Sequence, residues 1–87
     1  MKTTQLNFIS TASHGYLEVP FTTLWSYMND KDISEYSFVD YFNKTFYLEE
    51  DCDAPLFIKK VKEKNNIAIT ESYLEDIPET AERLFHS

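Results

Sequence analysis

Apolar side chains recur every second residue in some stretches of this chain and every third or fourth in others. A chain that alternates these periods must build sheet and helix together. Leu6, Phe8 and Ile9 mark a first strand over Gln5–Thr11, and Leu17 and Val19 share one face of a second. Between them lies Ala12-Ser13-His14-Gly15, with the only glycine, which reads as a turn with Gly15 at positive φ. Pro20 ends the second strand and suits a helix start. Phe21, Leu24, Trp25 and Met28 then fall on one helical stripe, stopped by Asn29-Asp30-Lys31-Asp32.

Strand chemistry returns from Ile33 to Phe42 and again over Thr45-Phe46-Tyr47-Leu48, with Phe46 and Leu48 inward. Asn43-Lys44 is the turn between them, because Asn tolerates the left-handed conformation. A second helix follows, capped by Asp53, with Pro55 in its first turn and Ala54, Phe57, Ile58 and Val61 as its buried stripe. Ile67, Ile69 and Tyr73 alternate along a further strand, and Asp76-Ile77-Pro78-Glu79 reads as the start of a last short helix carrying Ala81, Leu84 and Phe85. The expected class is α+β: a small, mainly antiparallel sheet with two to three short helices on one face, in a single compact domain over residues 1–87. Trp25, Phe38, Leu48, Phe57 and Ile58 are expected to share its core.

A chain this short buries little, and its seven Phe, six Tyr and one Trp compensate for the missing staples. Trp25, Tyr27, Tyr41 and Tyr47 are the aromatics to which a surface role is open. Cys52 is alone, which excludes an internal disulfide and a four-cysteine zinc site. The first residues never open into an apolar run, and no segment approaches the roughly 20 apolar residues of a membrane span. The expectation is a cytoplasmic protein without a membrane segment. Eight Lys and Arg against 15 Asp and Glu give a net charge of −7, the wrong sign for direct contact with nucleic acid.

Glu49-Glu50-Asp51-Cys52-Asp53 places four carboxylates within five residues. Hard cations take oxygen ligands, but the glycine and closing Glu of a calcium loop are missing, so no metal and no cofactor is expected. Acids at the start of a helix whose other end carries Lys59, Lys60, Lys62 and Lys64 also suit the helix dipole. A third reading makes the acids a surface for a basic partner. Catalysis finds little support, since His14 and Cys52 lie in different elements and carboxylates around Cys52 suppress its thiolate. No catalytic residue is assigned.

Two runs, His14-Gly15-Tyr16-Leu17-Glu18-Val19-Pro20 and Tyr47-Leu48-Glu49-Glu50-Asp51-Cys52-Asp53-Ala54-Pro55-Leu56-Phe57, resemble a family of small uncharacterised proteins of phages, plasmids and bacterial genomes. Its members read H-G-W-L-x-V-P, a Tyr-Ser-Tyr strand and Y-L-E-E-D-C-D. Here Tyr36-Ser37-Phe38 fits the middle element, Tyr16 replaces the usual Trp, and the turn around Asn43 is longer and lacks its glycine. The resemblance implies a mobile-element setting and no particular reaction.

These readings lead to a small acidic accessory protein that binds a host protein, with Glu49, Glu50, Asp51, Glu75 and Asp76 as the partner-binding residues. Its concrete form is an inhibitor of a nucleic-acid-handling defence system, of anti-CRISPR or anti-restriction type, acting as a nucleic-acid mimic in a basic cleft. The alternative is a regulatory or scaffold protein that works through an aromatic surface, as a homodimer in one version. A metal-dependent enzyme is a distant third.

Overall fold

The computed structural model describes residues 2–84. The strands are β1 (Thr3–Ser10), β2 (Gly15–Pro20), β3 (Phe38–Asp40), β4 (Thr45–Glu49), β5 (Asn66–Tyr73) and β6 (Glu82–Arg83), with helices α1 (Phe21–Trp25) and α2 (Asp53–Lys62). They form an α+β fold around one six-stranded sheet in the order β5-β1-β2-β4-β3-β6. Only the β1–β5 pair is parallel. That pairing follows from connectivity: β4 is antiparallel to β2, and β2 to β1, so β4 and β5 run the same way. Strands that run in the same direction need a long crossover, which α2 supplies.

Strand alternation sorts the interior into two clusters. Leu6, Leu17, Val19, Val39, Phe46 and Leu48 are buried together with Leu24 of α1 and Ala54, Phe57 and Val61 of α2. The residues between them in sequence turn the other way. Ile9, Tyr16 and Tyr47 form the second cluster, over which Phe38, Ile77 and Ala81 pack. Ile77 and Ala81 belong to the connection from β5 to β6, so this irregular segment covers part of the second cluster.

Several local expectations are corrected. Trp25 is 53% exposed and Phe38 belongs to the second cluster. α1 spans only five residues, so Leu24 is its buried residue, while Met28 reaches the core from the chain beyond it. The strand expected over Ile33–Phe42 shrinks to Phe38–Asp40. Upstream of it a single 3-10 turn, Asp30–Asp32, is closed by a capping box between Asn29 and Asp32. Gly15 does not have positive φ; Lys44, at φ 53°, is the residue in the left-handed region. Thr11 closes the turn instead, its hydroxyl donating to the His14 carbonyl at 2.8 Å and accepting from the His14 N–H at 3.1 Å.

Asp53 does not cap α2. Cys52 occupies that position without a side-chain cap bond. The last helix is absent among the described residues, where β6 stands at Glu82–Arg83 and Leu84 enters the first cluster; Phe85 lies outside the described residues. Pro78 donates no hydrogen bond, and its carbonyl accepts from the Ala81 N–H at 2.9 Å to close a single turn. Among the described residues no helix is long and apolar enough to cross a membrane.

Candidate functional site

Pairing brings the two conspicuous sequence runs to one end of the sheet. Tyr16 of β2 stands opposite Glu49 of β4, and the Glu50 N–H donates to the Gly15 carbonyl at 3.1 Å. Gly15 is required there for space. A Cβ on it would lie 2.5 Å from both Glu50 Oε2 and Phe8 Cζ. The glycine thus lets the acidic turn after β4 close over the start of β2.

The result is a cleft of about 280 Å³ lined by His14, Tyr16, Glu49, Asp51, Cys52 and Arg83. Tyr36 forms a further wall. His14 and Cys52, far apart in sequence, therefore share one cleft. Arg83 reaches it from β6: its Nη1 donates to the Glu35 carbonyl at 3.0 Å, and its guanidinium lies 4.9 Å from the centre of the Phe38 ring. Tyr16 packs edge-to-face on Phe38 at 5.8 Å, so one aromatic ring supports both the phenol and the guanidinium.

A buried carboxylate ties together the segments that carry two of the lining residues. Asp53 accepts from the Ser34 N–H at 3.0 Å, from the Ser34 hydroxyl at 2.7 Å and from the buried Ser37 hydroxyl. Ser37 Oγ in turn accepts from the Glu49 N–H at 2.9 Å. Asp53 at the start of α2 therefore sets both the loop that carries Tyr36 and the end of β4 that carries Glu49.

The local field is acidic. Glu49 Oε2 accepts from the Asp51 N–H at 2.9 Å, and the carboxylates of Glu49, Glu50 and Asp51 bring oxygens within 4.8 Å of one another. Desolvation raises the pKa of the Tyr16 phenol; Arg83 opposes the rise, and Asp76, Glu49 and Glu50 add to it. The Cys52 thiol is also raised, by desolvation, by its hydrogen bond with Glu49 and by the charges of Glu49, Asp53 and Asp51. A thiol held protonated is a poor nucleophile.

Of the acids singled out from sequence, Glu49, Glu50 and Asp51 stand at this end of the sheet. Asp76 acts on the same phenol from the segment after β5. Glu75 is exposed beside it, just past Leu74, whose N–H donates to the Ser10 carbonyl at 3.0 Å. Sequence reasoning missed Tyr16, Tyr36 and Arg83 as cleft residues. Arg83 had no signal of its own, because the two-residue strand that delivers it is too short to read from periodicity.

A second surface stands apart. Phe21 lies 5.1 Å from Trp25, 6.1 Å from Tyr41 and 4.7 Å from Phe46, ring centre to ring centre. These rings, with the exception of the buried Phe46, frame an open cleft of about 600 Å³ beside Lys44. Tyr47 and Tyr27, both considered for surface roles, are buried and half-buried respectively. No family model, curated protein or solved structure matches the chain.

Proposed function

We propose that this protein works by binding another protein, as a small acidic accessory protein of a phage or other mobile element. The carboxylate-rimmed end of the sheet engages a basic cleft on its partner. In the finer version the partner is a host nucleic-acid-handling defence enzyme in the cytoplasm, whose groove the acids occupy in place of nucleic acid. In this reading the two helices cover the sheet face of Leu17 and Phe46, and the protein itself performs no reaction.

One observation carries the reading: Glu49, Glu50 and Asp51 bring carboxylate oxygens within 4.8 Å of one another at one end of the sheet, and Asp76, distant from them in sequence, acts on the Tyr16 phenol beside them. Acids gathered in this way raise the encounter rate with a basic surface. The mobile-element setting rests on the resemblance of the two sequence runs, and the inhibitor class on analogy of size and charge.

The test is capture from lysate of a phage-infected or plasmid-bearing host, with wild-type protein and the Glu49→Lys/Glu50→Lys variant side by side. A nuclease or CRISPR complex held by wild type, released by salt and lost by the variant is the expected result. Equal capture by both proteins, insensitive to salt, would sink the acidic reading.

The exposed Trp25 and Tyr41, on either side of half-buried Phe21, favour one second reading, a regulatory or scaffold protein that docks or dimerises through aromatic rings. Retained capture by the charge variant together with loss in Trp25→Ala would select it.

A further inference from the structure

Tyr16 is only 6% exposed, yet its hydroxyl makes no hydrogen bond among the described residues. Among the described residues no fully buried side-chain oxygen or nitrogen lacks a partner, so this hydroxyl is not sealed in. Its outlet is the cleft that Tyr16 lines. A nearly buried phenol that lines a cleft and leaves its oxygen without a partner is a vacant hydrogen-bonding position.

The cleft also has a size. At about 280 Å³ it falls just under the range of about 300–1,000 Å³ typical of small-molecule sites, so it suits one side chain better than a cofactor. Its charge favours a cation: Glu49 and Asp51 line it against the single Arg83, and Glu50 and Asp76 add negative field at Tyr16. Arg83 is already engaged by the Glu35 carbonyl and the Phe38 ring and forms a fixed wall. The remaining lining offers acceptors and a ring face in the Tyr16 oxygen, the carboxylates of Glu49 and Asp51 and the exposed Tyr36 ring, with His14 and Cys52 beside them.

We propose that this cleft is a socket for one arginine side chain of a partner protein, with the guanidinium bound by the Tyr16 hydroxyl and the Glu49 and Asp51 carboxylates. A guanidinium suits such a site better than an ammonium, because its planar array of donors meets several acceptors while its face stacks on a ring. This rests on the acidic-partner reading and deepens it by naming the group that enters.

The test is an amide NMR titration of the full chain with three probes: a decapeptide with one central arginine, the same peptide with citrulline, and agmatine as a free guanidinium. The arginine peptide is expected to shift His14–Leu17, Tyr36, Glu49–Cys52 and Arg83, and to bind about tenfold more tightly than the citrulline peptide. Tyr16→Phe, which keeps the ring packing, and Glu49→Gln, which keeps an acceptor for the Asp51 N–H, should each weaken the arginine peptide by about tenfold. Their unbound spectra report whether the fold is kept. Equal binding of the arginine and citrulline peptides, or full-strength binding to Tyr16→Phe, would overturn the socket. Agmatine binding more tightly than the peptide would overturn its assignment to a protein side chain. Binding of the arginine peptide that ignores Tyr16→Phe but is lost in Glu49→Lys/Glu50→Lys would refute the socket and leave the acidic surface standing. No binding of any basic peptide would refute both.

Discussion

Replacing Asp53 with alanine tests the arrangement that holds the candidate site together. Asp53 is 4% exposed and accepts from two hydroxyls and one backbone N–H. Ser37 is wholly buried, so its hydroxyl has no water to turn to when the carboxylate goes. Each buried donor left unpaired costs about 1–3 kcal/mol, and half-buried Ser34 recovers part of its loss by hydration. The negative charge in the first turn of α2 adds about 0.3–1 kcal/mol. Together these give about 3–5 kcal/mol for Asp53→Ala, against a total of about 4–13 kcal/mol for a chain of this length.

Urea denaturation should show that loss directly, and the melting temperature should fall by roughly 12 °C or more, at about 4–8 °C per kcal/mol. Asp53→Asn keeps one acceptor and should cost less, about 1–2 kcal/mol. Hydrogen exchange separates this network from general destabilisation. The Glu49 amide, which donates to Ser37 Oγ, should lose protection in Asp53→Ala under conditions where the amides of β1 remain protected. A cost below about 1 kcal/mol for Asp53→Ala, with the Glu49 amide unchanged, would refute the claim that this carboxylate sets the site.

Phe57→Ala should cost about 3–5 kcal/mol in denaturant unfolding, while Trp25→Ala on the surface should cost less than about 1 kcal/mol. Gly15→Ala should destabilise by about 1–3 kcal/mol through crowding, and adding Glu50→Ala should recover only part, since Phe8 Cζ remains in the way. Burial pushes the Asp40 carboxyl up, but hydrogen bonds from Asn43, Thr80 and Phe42 outweigh it and hold the carboxyl below its ordinary value. Its stabilisation is therefore full above the ordinary carboxylate pKa and lost as pH falls through the lower folded value; acid-side urea melts should flatten in Asp40→Asn. Tyr47 is pushed up to about 12, by desolvation and then by Glu18 and Asp40. Phenol absorbance should show it ionising last, with its stabilisation present below the ordinary phenol value of 10 and lost as pH rises towards 12.

Long periodic segments were legible in the sequence, and side-chain chemistry hid the rest. Ala54, Phe57 and Val61 of α2 and Phe46 and Leu48 of β4 are buried as their spacing predicts. The stretch from Ile33 to Ser37 reads as strand because its residues suit one. Ser34 and Ser37 are instead committed to Asp53, sixteen or more residues away, and no local pattern announces that bond. Asp53 itself reads as a cap because acids at helix starts usually are. Its carboxylate turns to the serine loop instead. The same limit applies to the cleft: the acids and His14 could be singled out, but the convergence of Tyr16, Tyr36 and Arg83 is a product of strand order.

The second sheet cluster explains how one end of the sheet gains an acid from a segment without regular structure. Asp76 sits in the connection from β5 to β6, which an isolated loop would leave mobile. Here the connection is tied at several points. Asp76 Oδ1 accepts from the Ile77 N–H at 2.8 Å, Ile77 and Ala81 pack over Tyr16 and Tyr47, and the Thr80 hydroxyl donates to buried Asp40 at 2.8 Å. Asp40 is also held by Asn43, through its N–H at 3.1 Å and its side-chain amide at 2.6 Å. One buried carboxylate thus joins the β3–β4 turn to the segment carrying Glu75 and Asp76. The two buried aspartates act on different segments, Asp53 fixing the Glu49 end of β4 and Asp40 tying down the connection that carries Asp76. Both are acceptors for hydroxyls from segments without regular structure, and both tie those segments down. Loss of either should loosen the acidic rim by a different route. Asp53→Ala should act through the amide of Glu49, and Asp40→Asn through those of residues 76, 77 and 79–81, which separates the two contributions in one hydrogen-exchange experiment.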